Sequence, residues 1–145
     1  MVKEKILVSA CFLHEGYKYS GGANINQKII ELAEKYEFIL ICPEVFGGLK
    51  TPRPASEIIG DKVMNVFGED VTINFKTGAE KALELALIHN CKKAILKAKS
   101  PSCGKGLIYD GTFSHKTIEG NGVAAKLLME NGVTVYTEDE VDSLI

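Results

Sequence analysis

The chain has 145 residues, which is the length of one ordinary domain, and 46% of them are apolar while 25% are charged. Its formal net charge is −2, so there is no overall positive field with which to hold a polyanion such as nucleic acid. The apolar run in the N-terminal stretch MVKEKILVSAC is too short for a signal peptide, and no run approaches the ~18–20 apolar residues of a membrane span. We therefore expect one domain over residues 1–145, located in the cytoplasm.

Short apolar runs alternate with amphipathic segments in the first half of the chain. The run ILV at 6–8 predicts a first buried strand, and FILI at 38–41 predicts a second. Between them, Asn24 is followed three residues later by Gln27, a capping-box pattern that predicts the start of a helix. Residues 43–61 are rich in glycine and proline and predict a long loop, which in a small domain is more often functional than idle.

The second half of the chain continues this alternation. Asp70 is a suitable N-cap for a long helix, a second helix is predicted from about 121 to 131, and a short one at 138–145. Three further strands are predicted, namely a short edge strand at 63–66 and buried strands at 94–96 and 133–136. Alternating helices and near-continuous apolar strands predict an α/β fold, a single doubly wound domain with a mostly parallel sheet.

Three of the four cysteines follow predicted strands. Cys11 and Cys42 come directly after the first and second strands, and Cys103 lies in the loop KSPSCGKG after the strand at 94–96. Ligands of open parallel sheets bind outside the carboxyl ends of the strands, so we expect these three thiols to meet there. Cys91 lies at the opposite end of the third strand, and we expect it to be structural.

Three converging thiols leave several interpretations open. Each thiol could be a small packing residue, but together they favour a metal site, either zinc with an open fourth position or an iron–sulfur cluster. A phosphatase-type role for Cys11 fails because that chemistry needs an arginine six residues later, where this chain has Tyr17. A cluster held by only three cysteines would leave one iron free to bind a sulfur atom of a substrate. The residues alone do not choose between zinc and iron.

Eight short motifs occur in order between about residue 5 and residue 138, namely VSACFL, CPE, GGL, TPRPA, GEDVT, KxxSPSCG, YDGTF and GNGV. By this combination the chain resembles the thiouracil desulfidase (TudS) family, long catalogued as domain of unknown function 523. The resemblance implies a Rossmann-like domain with an oxygen-sensitive 4Fe–4S cluster on Cys11, Cys42 and Cys103. It also implies the removal of sulfur from a thiolated nucleobase such as 2-thiouracil as hydrogen sulfide, without net redox change.

The same resemblance assigns roles to individual side chains. Glu44 of the CPE motif and Ser100 of the SPSC motif are implied as the catalytic pair. For Arg53, a contact with substrate and a salt bridge that pins its loop are equally compatible with the sequence. We predict contacts with the substrate from four residues, Ser102, Tyr19, Arg53 and Lys97.

The chain departs from the family pattern after Cys11. The family reads close to CLLGxxxRYDG there, whereas this chain has His14, Lys18 and Ser20 at the changed positions, so the thiobase itself stays open. Two other functions remain as alternatives. One is desulfuration of thiolated tRNA, which the net charge of −2 disfavours. The other is a non-catalytic iron–sulfur or zinc-binding protein, which would not need Glu44 and the serine pair.

Overall fold

The computed structural model describes residues 2–145, and its regular elements alternate along the chain as an α/β fold requires. The strands are β1 (Glu4–Ser9), β2 (Tyr36–Ile41), β3 (Ser56–Ile59), β4 (Lys62–Asn65), β5 (Lys93–Leu96), β6 (Leu107–Tyr109), β7 (Thr117–Glu119) and β8 (Thr134–Thr137). The α-helices are α1 (Gln27–Glu31), α2 (Pro43–Phe46), α3 (Thr72–Ile88) and α4 (Val123–Glu130). Short 3₁₀ turns occupy Ala10–Phe12, Leu32–Glu34 and Val141–Leu144.

The central sheet has four strands in the order β2-β1-β5-β8, and all of its neighbouring pairs are parallel. All four strands were predicted from their apolar runs, and the α/β class with a parallel sheet is confirmed. Strand β1 lies between β2 and β5, so the segments that follow these three strands leave the sheet side by side at its carboxyl edge. That edge is where the site lies.

Both faces of the sheet are covered, because alternate residues of its buried strands enter different cores. Leu7, Ala94 and Leu96 pack with α3 and α4 in one cluster. Ile6, Val8 and Ile95 pack in the other, against the segment from α1 to the turn at Leu32–Glu34 and against the C-terminal turn. Burial on both faces explains why these strands read as continuous apolar runs.

The segment at 43–61 was predicted as a loop, and this was wrong in part. It contains α2 and β3, and β3 pairs antiparallel with β4 in a hairpin separate from the central sheet. The strand predicted at 63–66 is therefore β4 of that hairpin and not an edge of the main sheet. A second hairpin, β6–β7, was not predicted, since its strands have only three residues and β7 is exposed throughout.

Two predicted helix starts shift by one or two residues. The side chain that caps α1 is Asn26, which accepts a hydrogen bond from the Ile29 N–H at 3.1 Å, and Asn24 instead donates its backbone N–H to the Cys11 carbonyl at 2.7 Å. Asp70 accepts from the N–H of Thr72, the first residue of α3, at 2.9 Å. Within residues 2–145 no helix is both long enough and apolar enough to cross a membrane.

Candidate active site

A cavity of about 350 Å³ opens at the carboxyl edge of the central sheet. Cys11, Cys42 and Cys103 all line it, and each comes from a segment that follows a different strand of the sheet. Cys91 does not line this cavity and packs instead in the core cluster beneath α3 and α4. The structure thus brings together the three thiols that the strand order predicted and keeps the fourth apart.

Close backbone packing places two of the three cysteine segments. Cys42 is the N-cap of α2, with Pro43 at the first helical position, and a Cβ on Gly78 of α3 would collide with the Pro43 carbonyl. The loop that carries Cys103 packs against the start of α4, where a Cβ on Gly122 would lie 2.5 Å from the Ser102 carbonyl carbon. Glycines at these positions let the helices approach the site more closely than any side chain would allow.

Burial makes the three thiols hard to ionise in the metal-free protein. It raises the pKa of Cys103 to about 12, although the hydrogen bond from Ser9 acts in the opposite direction. Burial also raises the pKa values of Cys11 and Cys42, and the negative charge of Glu44 raises that of Cys42 further. A cation or cluster that binds here must therefore displace protons, since the thiolate is the ligand form.

Thiolates are the donors that hold iron–sulfur clusters in proteins. In the part of the chain from residue 2 to the end, no three His, Cys, Asp or Glu side chains form a group that could hold one metal ion. An iron–sulfur cluster is larger than an ion and accepts thiolates from separate segments of a chain. Cys11, Cys42 and Cys103 would supply three thiolates around one cavity and leave a fourth position without a protein sulfur.

A directional chain of hydrogen bonds lies beside the thiols. Ser100 Oγ accepts from the backbone N–H groups of Ser102 and Cys103, both at 3.1 Å, so its own O–H is free to donate to Ser102 Oγ at 2.9 Å. Ser102, which is only 1% exposed, donates in turn to Glu44 Oε2 at 3.0 Å. All three side chains line the cavity, and together they connect a carboxylate to a hydroxyl through one intermediate hydroxyl.

Arg53 holds the other oxygen of Glu44. Its Nε donates to Glu44 Oε1 at 3.1 Å, and the two side chains are only 5% and 15% exposed. The remaining guanidinium N–H groups donate to the carbonyls of Lys50 and Tyr17 and to the Thr51 hydroxyl. Arg53 does not line the cavity, so of its two predicted roles the structure shows the salt bridge, and contact with substrate stays a prediction.

The other residues that the sequence singled out differ in whether they line the cavity. Tyr19, half exposed, and Lys97 both line the cavity, and Lys97 Nζ pairs with Glu138 Oε2 at 2.6 Å. Of the three positions that depart from the family pattern, Lys18 lines the cavity, whereas His14 and Ser20 do not.

Glu57 is a buried cavity residue that the sequence analysis missed. It lies on β3, and its Oε1 accepts from the backbone N–H groups of Gly111 at 2.9 Å and Phe113 at 3.1 Å. This carboxylate ties the β3–β4 hairpin to the loop that carries His115, another cavity residue. No local pattern marks Glu57, because both of its partners are more than 50 residues away.

Comparisons with known proteins identify the family of the chain. The family model described as 2-thiouracil desulfurase matches residues 6–140. The uncharacterized protein YbbK of Bacillus subtilis (strain 168) is 41% identical, over 97% of this chain and 99% of its own length. A solved structure titled as the 4Fe–4S-dependent thiouracil desulfidase TudS (DUF523Vcz) superimposes with a TM-score of 0.90 at 41% identity, over 98% of this chain and 95% of its own. On these grounds the chain belongs to the 2-thiouracil desulfurase family.

Proposed function

We propose that this protein is a desulfidase that converts a thiolated nucleobase of the 2-thiouracil class to the oxo-base and hydrogen sulfide, with a 4Fe–4S cluster as cofactor. The family match and the similarity to a protein named for that activity support the proposal. The observation that carries it is the hydrogen-bond chain from Ser100 through Ser102 to Glu44 on the cavity that the three cysteines line.

Cys11, Cys42 and Cys103 would hold the cluster in this proposal. When bound, a cluster with one iron lacking a protein thiolate supplies a Lewis-acidic position with affinity for sulfur. The three thiols come from different segments, and their placement depends on the central sheet and on the packing of α2 and α4 against its edge.

Glu44 serves as the general base. It accepts a proton from a water molecule as the water oxygen bonds to the thiocarbonyl carbon of the base. The sulfur then takes up a proton, the carbon–sulfur bond breaks and its electron pair leaves with sulfur as hydrosulfide. The added hydroxyl gives its remaining proton to the Glu44 carboxylate as its oxygen becomes the carbonyl oxygen of the product. Water is consumed, and one molecule each of oxo-base and hydrogen sulfide is formed without an oxidant or a reductant.

The serines return the proton that Glu44 has taken. Because Ser102 donates to Glu44 and Ser100 donates to Ser102, reversing these two hydrogen bonds passes the proton from the carboxyl group along the two hydroxyls, and the Ser100 O–H gives its proton to the departing sulfur. Arg53 is a positioning residue, because its Nε donates to Oε1 of Glu44, the carboxylate oxygen to which Ser102 does not donate. Positioning of this kind is a large contribution to rate enhancement.

The test uses anaerobically loaded protein at matched iron content, with sulfide release from 2-thiouracil as the assay. Glu44→Gln removes the base and should lower the rate by ~10²–10⁴-fold with the cluster retained. Ser102→Ala breaks the chain that joins Ser100 to Glu44 and should also lower it. Full activity in Glu44→Gln at full iron content would contradict the proposed role of this residue.

Cluster ligation is tested separately from turnover. Cys103→Ser should lose most of its iron, whereas the matched variant Cys91→Ser should keep it, since Cys91 lies in the core away from the cavity. Equal iron content in these two variants would show that Cys103 is not a ligand.

A further inference from the structure

Ser9 is a buried hydroxyl next to the thiols that the proposed reaction does not use. It is the last residue of β1, two positions before Cys11, and it is only 3% exposed. It also lines the cavity. A buried hydroxyl at the end of an apolar strand requires hydrogen-bond partners, and the partners of Ser9 come from the segments that follow β5.

The hydrogen bonds of Ser9 have a defined direction. Its Oγ accepts the backbone N–H of Lys97 at 3.1 Å, and its O–H donates to Cys103 Sγ at 3.5 Å. Ser102 Oγ is also near this sulfur, at 3.6 Å, but its hydrogen is directed to Glu44 at 3.0 Å. Among the described residues, Ser9 is therefore the hydroxyl whose hydrogen is left for the Cys103 sulfur.

We propose that Ser9 is a positioning residue that donates an O–H···S hydrogen bond to Cys103 when this cysteine ligates the cluster. The inference rests on the proposed function, because it requires Cys103 to be a ligand. Ser9 would connect two ligand segments, since it belongs to the strand that leads to Cys11 while both of its partners follow β5.

Such a hydrogen bond has two consequences for a bound cluster. It withdraws electron density from the ligating sulfur, and hydrogen bonds to sulfur are among the factors that set cluster potentials. It also orients the ligand, and loss of such outer contacts typically lowers metal affinity by ~10–100-fold. Removal of the Ser9 hydroxyl should therefore shift the reduction potential to more negative values and accelerate the loss of iron.

The experiment compares Ser9→Thr with Ser9→Val, two side chains of nearly the same shape that differ in the hydroxyl. Each protein is loaded anaerobically, iron release to a chelator is timed, and the midpoint potential is measured spectroscopically. Ser9→Thr should retain the wild-type potential, whereas Ser9→Val should have a more negative one and release iron ~10-fold faster. Ser56→Ala, which removes a hydroxyl from another wall of the same cavity, is the control for a general disturbance.

The outcomes separate this inference from the proposed function. If the unchanged protein binds no cluster, the proposed function itself fails. If it binds one and Ser9→Thr and Ser9→Val have the same potential and release rate, the hydroxyl does not act on Cys103 and the inference is overturned. The inference is also overturned if Ser9→Thr takes up no cluster while Ser56→Ala takes it up normally.

Discussion

Gly122→Ala is the most informative single change outside the cavity. Gly122 is the N-cap of α4, with φ −65 and ψ 160, a conformation that alanine adopts without strain. An added Cβ would lie 2.5 Å from the Ser102 carbonyl carbon and 2.8 Å from the Cys103 nitrogen, both of them backbone atoms. An ordinary contact begins near 3.4 Å, so the Ser102–Cys103 peptide must move away by about 0.9 Å.

A displacement of this size should affect turnover more than folding. Forcing an extra carbon into close packing typically costs ~1–3 kcal/mol, which is a fraction of the ~5–15 kcal/mol by which a domain is stable. The variant should therefore remain folded at 25 °C. A misplacement of about 1 Å at a catalytic constellation, however, can lower the rate by ~10²-fold, and here it moves Ser102 relative to Glu44.

The assay is sulfide release from 2-thiouracil at matched iron content, together with a denaturant titration of the same sample. Gly22→Ala is the control, because a Cβ at Gly22 would meet nothing closer than 3.6 Å. We expect a loss of stability of about 1–3 kcal/mol and a loss of rate approaching ~10²-fold in Gly122→Ala, with neither in the control. Unchanged rate and stability in Gly122→Ala would refute the close packing of α4 against the Cys103 loop.

Two further predictions concern the metal-free thiols and the outer wall of the cavity. The pKa of Cys103 is about 12, so its thiolate fraction at pH 8 is on the order of 10³-fold below that of an ordinary thiol. Peptide mapping after alkylation of the metal-free protein should therefore find Cys103 modified more slowly than Cys11 and Cys42. Faster alkylation of Cys103 would contradict its burial. Glu57→Ala removes the acceptor of the Gly111 and Phe113 N–H groups, so their hydrogen exchange should become faster and the protein should lose about 1–3 kcal/mol of stability. Glu57→Gln keeps a carbonyl oxygen, so these N–H groups should exchange more slowly in it than in Glu57→Ala. Equal exchange in the two variants would rule out this acceptor role.

The central sheet could be predicted because its strands are buried on both faces. Strands such as β1 and β5 appear as uninterrupted apolar runs, and their shared direction places the residues after them at one edge. Cys11, Cys42 and Cys103 could therefore be assigned to one cavity from the chain alone. The short strands β6 and β7 could not be predicted, because three residues are too few to show a periodicity and β7 is exposed throughout.

The roles of individual polar side chains depend on contacts that no local pattern contains. The two serines of SPSC look equivalent in the sequence, yet Ser102 is the one that donates to Glu44, while Ser100 reaches the carboxylate through it. The sequence made Arg53 as suitable for a substrate as for a salt bridge, and its hydrogen bonds to Glu44 on α2 and to three loop residues became visible only in the fold. Ser9 is the second residue of the VSACFL motif, and nothing in the sequence indicates its contact with Cys103, 94 positions away.

In the proposed function, a cluster on three cysteines and the chain from Glu44 to Ser100 together hydrolyse a thiobase. Its most direct test is incubation of the anaerobically reconstituted protein with 2-thiouracil in the absence of any reductant, with uracil and sulfide both quantified. We predict uracil and hydrogen sulfide in equal amounts, well in excess of the sulfide held in the cluster. Protein with a full complement of cluster iron that leaves 2-thiouracil unchanged would contradict it.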